Sequence, residues 1–295
     1  MVTLASTVID RVLKGFRAYD QPDVLKSALD DSEVTVTYLG ILSGWGTQTT
    51  IEIESELMLV TEVDTTGKVA TVVRGWLNTT KATHVVDSPI YLNVKMMRSD
   101  ILDLLNESIG DLNSHDLYGV DTKEVTYDSG KIGYDLDSAI LTILRVDAQT
   151  DSAASLWDPV FDYYLVDNAP TEFGSGKAIM LKSALPFGAL FRVVYSKAFI
   201  DLADDSKDLE SDAGLTPYMT DLPFYFAMSR LMVDAERRRS QLSGAVNHQR
   251  AQDAPPFLSL RTGEWYQARY LDKINTSRAR LRKETRRPMG TGYGS

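Results

Sequence analysis

The chain has 295 residues and no cysteine, which removes disulfides, thiolate nucleophiles and thiolate metal sites together. Histidine is nearly as scarce, with three residues at positions 84, 115 and 248. That scarcity argues against a histidine-rich metal cluster, and the polar, loop-like surroundings of His115 and His248 suit solvated or packed rings. No run of about 18 apolar residues exists, and Met1-Val-Thr-Leu-Ala-Ser lacks the basic start and long apolar stretch of a signal peptide. The expectation is a soluble, unexported protein with no membrane contact.

Motifs that carry chemistry are also missing. Gly174-Ser-Gly176-Lys177 ends like a phosphate loop, but Thr171 stands where the opening glycine is required and Ala178 where a hydroxyl must meet magnesium. The glycines from Gly290 to Gly294 follow a helix-like stretch and precede nothing, whereas a dinucleotide fingerprint must join a strand to a helix. There is no Gly-x-Ser-x-Gly elbow and no His-Glu-x-x-His. The 41 Asp and Glu residues give abundant pairs without pocket logic. The chain therefore reads as a non-enzyme with no catalytic residue, no cofactor and no metal.

What is present is an ordinary globular composition, 43% hydrophobic, on a chain long enough for two domains. The net charge of −10 conceals a division: residues 231–295 hold 13 Lys/Arg against 6 Asp/Glu, and residues 1–230 hold 18 against 35. Segments of opposite sign can attract each other across copies or bind different partners.

Apolar spacing predicts helices over 4–18, 99–113, from Asp221-Leu-Pro223 to a stop at Gly244, and from Thr262 onward along Trp265, Ala268, Leu271, Ile274 and Leu281. Pro22 would start a short helical turn over Asp23–Leu29. Val34–Leu39, Ile51–Leu59, Val69–Val73 and Ile90–Leu92 read as strands; in the second, Ile51, Ile53, Leu57 and Leu59 share one face and three glutamates the other. Val125–Tyr127 and Ile132–Tyr134 look like a hairpin, and Ile140–Val146, Val160–Val166, Ala178–Leu181 and Leu190–Tyr195 add strands suited to an antiparallel sandwich. The six acids between Asp201 and Asp212 lack the central glycine and closing glutamate of a calcium loop, so they suit a solvated surface or mobile loop.

The expected fold is α+β: a helical body (1–32 and 93–120), a small β-barrel-like module (33–92), a larger antiparallel β-sandwich module (121–215), C-terminal helices (216–287) and a flexible, extended tail (288–295). Trp45 lies in the loop Ser43–Thr50, either as a contact residue or folded back on its own barrel.

Arg74-Gly75, then Thr79-Thr80, His84, a strand opening at Ile90 and the helical stretch Leu104-Leu-Asn106-Glu107-Ser108-Ile109 together resemble a pattern in tailed-bacteriophage structural proteins. Asn78 replaces the usual glycine before Thr79, and no glycine follows His84. The resemblance implies a head-to-tail adaptor, or connector, in the virion neck, assembled in the cytoplasm of a bacterial host. It would be a homo-oligomer, a dodecameric ring that binds the portal protein and tail or neck proteins, with DNA passing through its channel without sequence-specific binding. For Arg74 and His84 themselves a structural role is expected over a contact role: Arg74 pairing with a local acid and His84 bonding backbone in the loop.

The C-terminal arm of such adaptors reaches the portal, and the corresponding stretch here carries Trp265, Tyr270, Arg278, Arg280, Arg282, Lys283, Arg286 and Arg287 as candidate partner-binding residues. Clustered cations could instead neutralise nucleic-acid phosphates, though the aromatic interleaving is thin and the rest of the chain is acidic. The other alternative is a tail or receptor-binding protein whose β modules meet the host surface through the loop of Trp45.

Overall fold

A computed structural model describes residues 3–16, 22–94, 96–151, 156–186, 188–243 and 258–285. Those residues form an α+β protein with four α-helices, a curled antiparallel half-barrel sheet and two further antiparallel sheets.

The helices are α1 (Ala5–Phe16), α2 (Arg98–Ser114), α3 (Leu222–Ser243) and α4 (Leu258–Thr285). They meet in one core to which α1 gives Ile9 and Val12, α2 gives Ile101, Leu105, Ile109 and Leu112, and α3 gives Ala227 and Met228. The spacing of three and four residues that predicted these helices is thus the spacing of their buried faces. In α4 the expected stripe holds in its later part, at Ile274 and Leu281, and fails in its earlier part. Tyr270, Ile274, Ser277 and Leu281 are buried, whereas Trp265 is 52% and Leu271 43% exposed and Ala268 is exposed. The physical reason is close approach: a Cβ at Gly263 would stand 3.2 Å from both Met232 Cβ and the Ser229 carbonyl oxygen. Small residues at 263 and 277 face the core because they let helices draw together, and a count of apolar residues passes over them.

The helical core also recruits residues assigned by sequence to the larger β module. Phe199, Leu202, Leu209, Ala213 and Leu215 pack in it. Two asparagines seven residues apart on α2 hold this segment as a strand would. Asn106 accepts the Leu202 N–H at 2.8 Å and donates to its carbonyl at 3.0 Å, and Asn113 does the same for Phe199 at 2.9 and 3.3 Å. The acid-rich run is solvated on one side, with Asp201, Asp204 and Asp212 exposed, and packed on the other: Leu209 is fully buried, and buried Asp208 accepts the N–H groups of Glu210 and Ser211 at 2.7 and 2.8 Å.

Between α1 and α2 lie β1 (Asp23–Val24), β2 (Thr35–Thr37), β3 (Thr50–Ile53), β4 (Glu56–Asp64), β5 (Val69–Val73) and β6 (Pro89–Leu92), paired in the order β1-β6-β3-β4-β5-β2. The two edges of the curled sheet meet at a Leu25–Tyr38 bridge, with backbone bonds of 2.8 Å (Lys26 to Thr37) and 2.9 Å (Leu39 to Val24). Asp23–Leu29 is thus not a helical turn: it is strand and bridge through Leu25, bends, and bridges again at Leu29, since Pro22 presets a φ that strands also accept. Ile51–Leu59 is not one strand but a hairpin turning at Glu54-Ser55, with Glu54 at φ 52°. The two-residue turn shifts the phase: Ile51 pairs with Met58 and Ile53 with Glu56, so Met58 and Val60 join Ile51 and Ile53 in the barrel core, and Leu57 and Leu59, expected on that face, lie on the other. Nor do its glutamates all face water: Glu52 and Glu56 are each 1% exposed.

The remaining strands are β7 (Gly119–Thr126), β8 (Tyr134–Asp135), β9 (Ile140–Asp151), β10 (Leu156–Val160), β11 (Tyr163–Asp167), β12 (Lys177–Leu181) and β13 (Leu190–Lys197). They form sheets of order β10-β9-β13-β7 and β11-β12-β8 that share a core of Tyr134, Ile140, Val146, Ile179, Phe191 and Val193. The expected hairpin of 125–127 with 132–134 is absent: β7 pairs with β13, and β8 with β12. Val160–Val166 is split between β10 and β11.

Candidate functional site

The chain's C-terminal candidates separate into residues that hold the fold and residues that face outward. Tyr270 belongs to the fold, with 4% exposure and its hydroxyl donating to Asp111 Oδ2 at 2.7 Å. Burial and then that carboxylate push its pKa far above the ordinary phenol value. Arg278 also works internally, since its Nε and Nη2 reach the His115 carbonyl oxygen at 3.1 and 2.6 Å. That places a cation on the C-terminal end of α2, where the helix dipole favours it. Trp265 is half exposed, and the Arg280 guanidinium lies 4.3 Å from the Tyr218 ring while its Nε bonds Glu284 at 2.9 Å. Arg282 and Lys283 stand exposed in the last turn. Arg286 and Arg287, like the tail 288–295, lie outside the described residues.

Of the two readings of Trp45, the structure has the folded-back one. Its ring stacks on Tyr38 with centroids 3.8 Å apart and planes 10° apart, and its Nε1 donates to Asp23 Oδ2 at 2.9 Å. Asp23, which sequence reasoning passed over, organises this loop: its carboxylate also accepts the N–H groups of Val24, Gly40, Ile41 and Leu42. Burial pushes its pKa up, but the Trp45 and backbone donors outweigh burial and hold it below the usual carboxylate range.

The residues that carry the phage-like pattern converge on a buried charge cluster. Arg74 Nε and Nη2 grip Glu56 at 2.7 Å each, with side-chain exposures of 1% and 0%. The guanidinium also donates to the carbonyls of Asp30, Glu33 and Ala82. Glu56 in turn accepts the N–H groups of Gly75 and Ala82 at 3.0 Å. Pairing of Arg74 with a local acid is what the sequence suggested. His84 differs: its ring bonds carboxylates, with Nε2 2.9 Å from Glu56 and Nδ1 3.1 Å from Glu54, while only its backbone pairs with Leu29. Ionised carboxylates only accept, so both contacts are satisfied when both ring nitrogens carry protons. Every arm of the cluster is spent on pinning the 30–33 and 75–84 segments to the hairpin.

Burial raises the Glu56 pKa, but Arg74, His84 and the two backbone donors bring it from 4.5 down to about 2. A depressed carboxyl stabilises the folded state fully above its unfolded value and loses that contribution as pH falls through its folded value. Urea stability is accordingly expected to drop between pH 4.5 and about 2, and Glu56→Gln should flatten the curve in that window. An unchanged slope in the variant would place the acid sensitivity elsewhere.

Among the described residues no group of three or more His, Asp or Glu is placed to hold a metal ion, and no helix is long and apolar enough to cross a membrane. Comparison with known protein families and with curated proteins finds no match for this chain.

Proposed function

We propose that this chain is a structural virion protein, a head-to-tail adaptor whose copies form a ring between the portal and the tail of a tailed phage, and not an enzyme. The four helices make the ring body, the half-barrel and the paired sheets are two β modules projecting from it, and the basic end of α4 meets the portal. DNA passes through the channel without sequence-specific contact, and a dodecamer is the expected assembly. The observation that carries this reading is the division of charge and exposure: Arg282 and Lys283 are exposed at the end of α4, on a chain whose first 230 residues hold 35 acids against 18 bases. Unlike charge at two ends of one chain suits head-to-tail contacts, which close into rings.

Removing residues 262–295 would be a poor test, because Tyr270, Ile274 and Leu281 complete the helical core. Charge reversal at the exposed pair is better. In native mass spectrometry with purified portal protein, the full chain is expected to dock as a ring, and Arg282→Glu with Lys283→Glu should weaken docking about tenfold at low salt through lost electrostatic steering. A strict monomer indifferent to the portal would remove the proposal.

A tail or receptor-binding role is favoured by a different observation. Ile132 is 85% and Phe161 64% exposed at turns of the larger β region, where apolar tips could meet a host surface. Binding to host cells or glycans without portal affinity would select it.

A further inference from the structure

The outward face of α4 carries a stripe at four-residue spacing, Arg261, Trp265 and Arg269, all exposed. Residues so spaced lie one above another on a helix. Arg269 sits 5.5 Å from the Trp265 ring, so the stripe is an aromatic side chain flanked by two cations. Around the same helix, where α4 meets α2 and α3, is a groove of about 580 Å³. Phe226, Leu104 and Leu271 supply apolar lining, and Glu107, Asp111 and Asp234 outnumber the groove's one arginine, Arg230. Arg230 lies 3.4 Å from Glu107, and both are more than half exposed, so this pair is screened and weak. A mainly polar, acid-rich groove with apolar patches is the complement in charge of an aromatic knob with basic flanks.

We propose that the Arg261-Trp265-Arg269 face of one copy seats in the α2/α3/α4 groove of the next copy. Knob and groove occupy different faces of α4, and with each knob seated in the next copy's groove the contact is heterologous and can close into a ring. Trp265 is the anchor, as a large aromatic buried at the centre of an interface usually is, and Arg269 is steered by Glu107. This deepens the ring reading but does not require a portal.

The absence of cysteine makes the test clean. Arg269→Cys and Glu107→Cys are made in separate full-length chains, one of them tagged, mixed, and treated with a short bifunctional maleimide. The expected product is a tagged–untagged pair formed in large excess over the pairs either variant forms alone. Adding Trp265→Ala to the Arg269→Cys chain should cut that yield about tenfold with the circular dichroism unchanged. Pairing no greater than that of each variant alone, or pairing indifferent to Trp265→Ala, overturns the interface. Portal docking without this cross-link removes the interface and leaves the adaptor reading standing; the cross-link without portal docking does the reverse.

Discussion

Arg74→Ala is expected to destabilise the half-barrel by about 3–5 kcal/mol, because removing one partner of a buried ion pair strands the other. Glu56 has 0% side-chain exposure and would keep only His84 and two backbone donors. The carbonyls of Asp30, Glu33 and Ala82 would lose a charged donor in the same step. Arg74→Lys restores the charge but not the fork that grips Glu56 through two nitrogens while reaching three carbonyls, so it should recover only part of the loss. Arg74→Met combined with Glu56→Met should be milder than Arg74→Ala alone, since replacing both partners leaves no stranded charge. Urea denaturation of the four proteins measures this. A loss below about 1 kcal/mol for Arg74→Ala would put the cluster in the class of surface pairs and refute its assignment as the barrel's internal clamp.

How much of this was legible in the sequence depends on whether the signal was periodic or long-range. The faces of α1, α2 and α3 were legible because burial repeats at the helical period, and Ile51 and Ile53 because it repeats at two. The turn at Glu54-Ser55 was not, since it shifts the phase by one, and the unbroken apolar run Leu57–Val60 hides that it is Met58 and Val60 that face inward. The early part of the α4 stripe was missed because Gly263 faces the core through smallness, while Ile274 and Leu281 were legible. The clamp was half legible: Arg74 needed an acid, but the choice of Glu56, which an unbroken alternation places on the solvent side, depends on the hairpin turn that pairs Glu56 with Ile53 and puts both on one face. Asn106 and Asn113 read locally as helix residues and nothing more. Nothing local says that their amides pair with backbone 96 and 86 positions later in the chain. Among the basic residues, local sequence did not distinguish Arg278, spent on the end of α2, from Arg282, which is exposed.

The joint between half-barrel and helices rests on a different arginine, and its loss should look different. Arg98, at the start of α2, has a 13% exposed side chain that bonds Asp10 of α1 and, at 3.2 Å, Asp205 of the packed acid-rich segment; its backbone N–H donates to buried Glu52 of β3 at 2.8 Å. Desolvation would lower its pKa, but Asp10 and Asp205 raise it above the ordinary arginine value. Asp205 also accepts Ser55 at the tip of the β3–β4 hairpin at 2.8 Å, so one carboxylate joins sheet to helices. Arg98→Ala leaves Asp10 65% exposed and able to hydrate, while Asp205 is only 23% exposed. The expected cost is therefore about 2 kcal/mol, the range of hydrogen bonds to charged groups, and less than for Arg74→Ala. It should appear in hydrogen exchange as faster exchange at the hairpin tip and the start of α2, with Ile53, Val60 and Ile109 still protected, because their cores do not contain Arg98. Arg74→Ala should do the converse, opening the half-barrel while α2 keeps its protection. If both variants loosen the same amides, barrel and body unfold as one cooperative unit and the two arginines are not separable clamps.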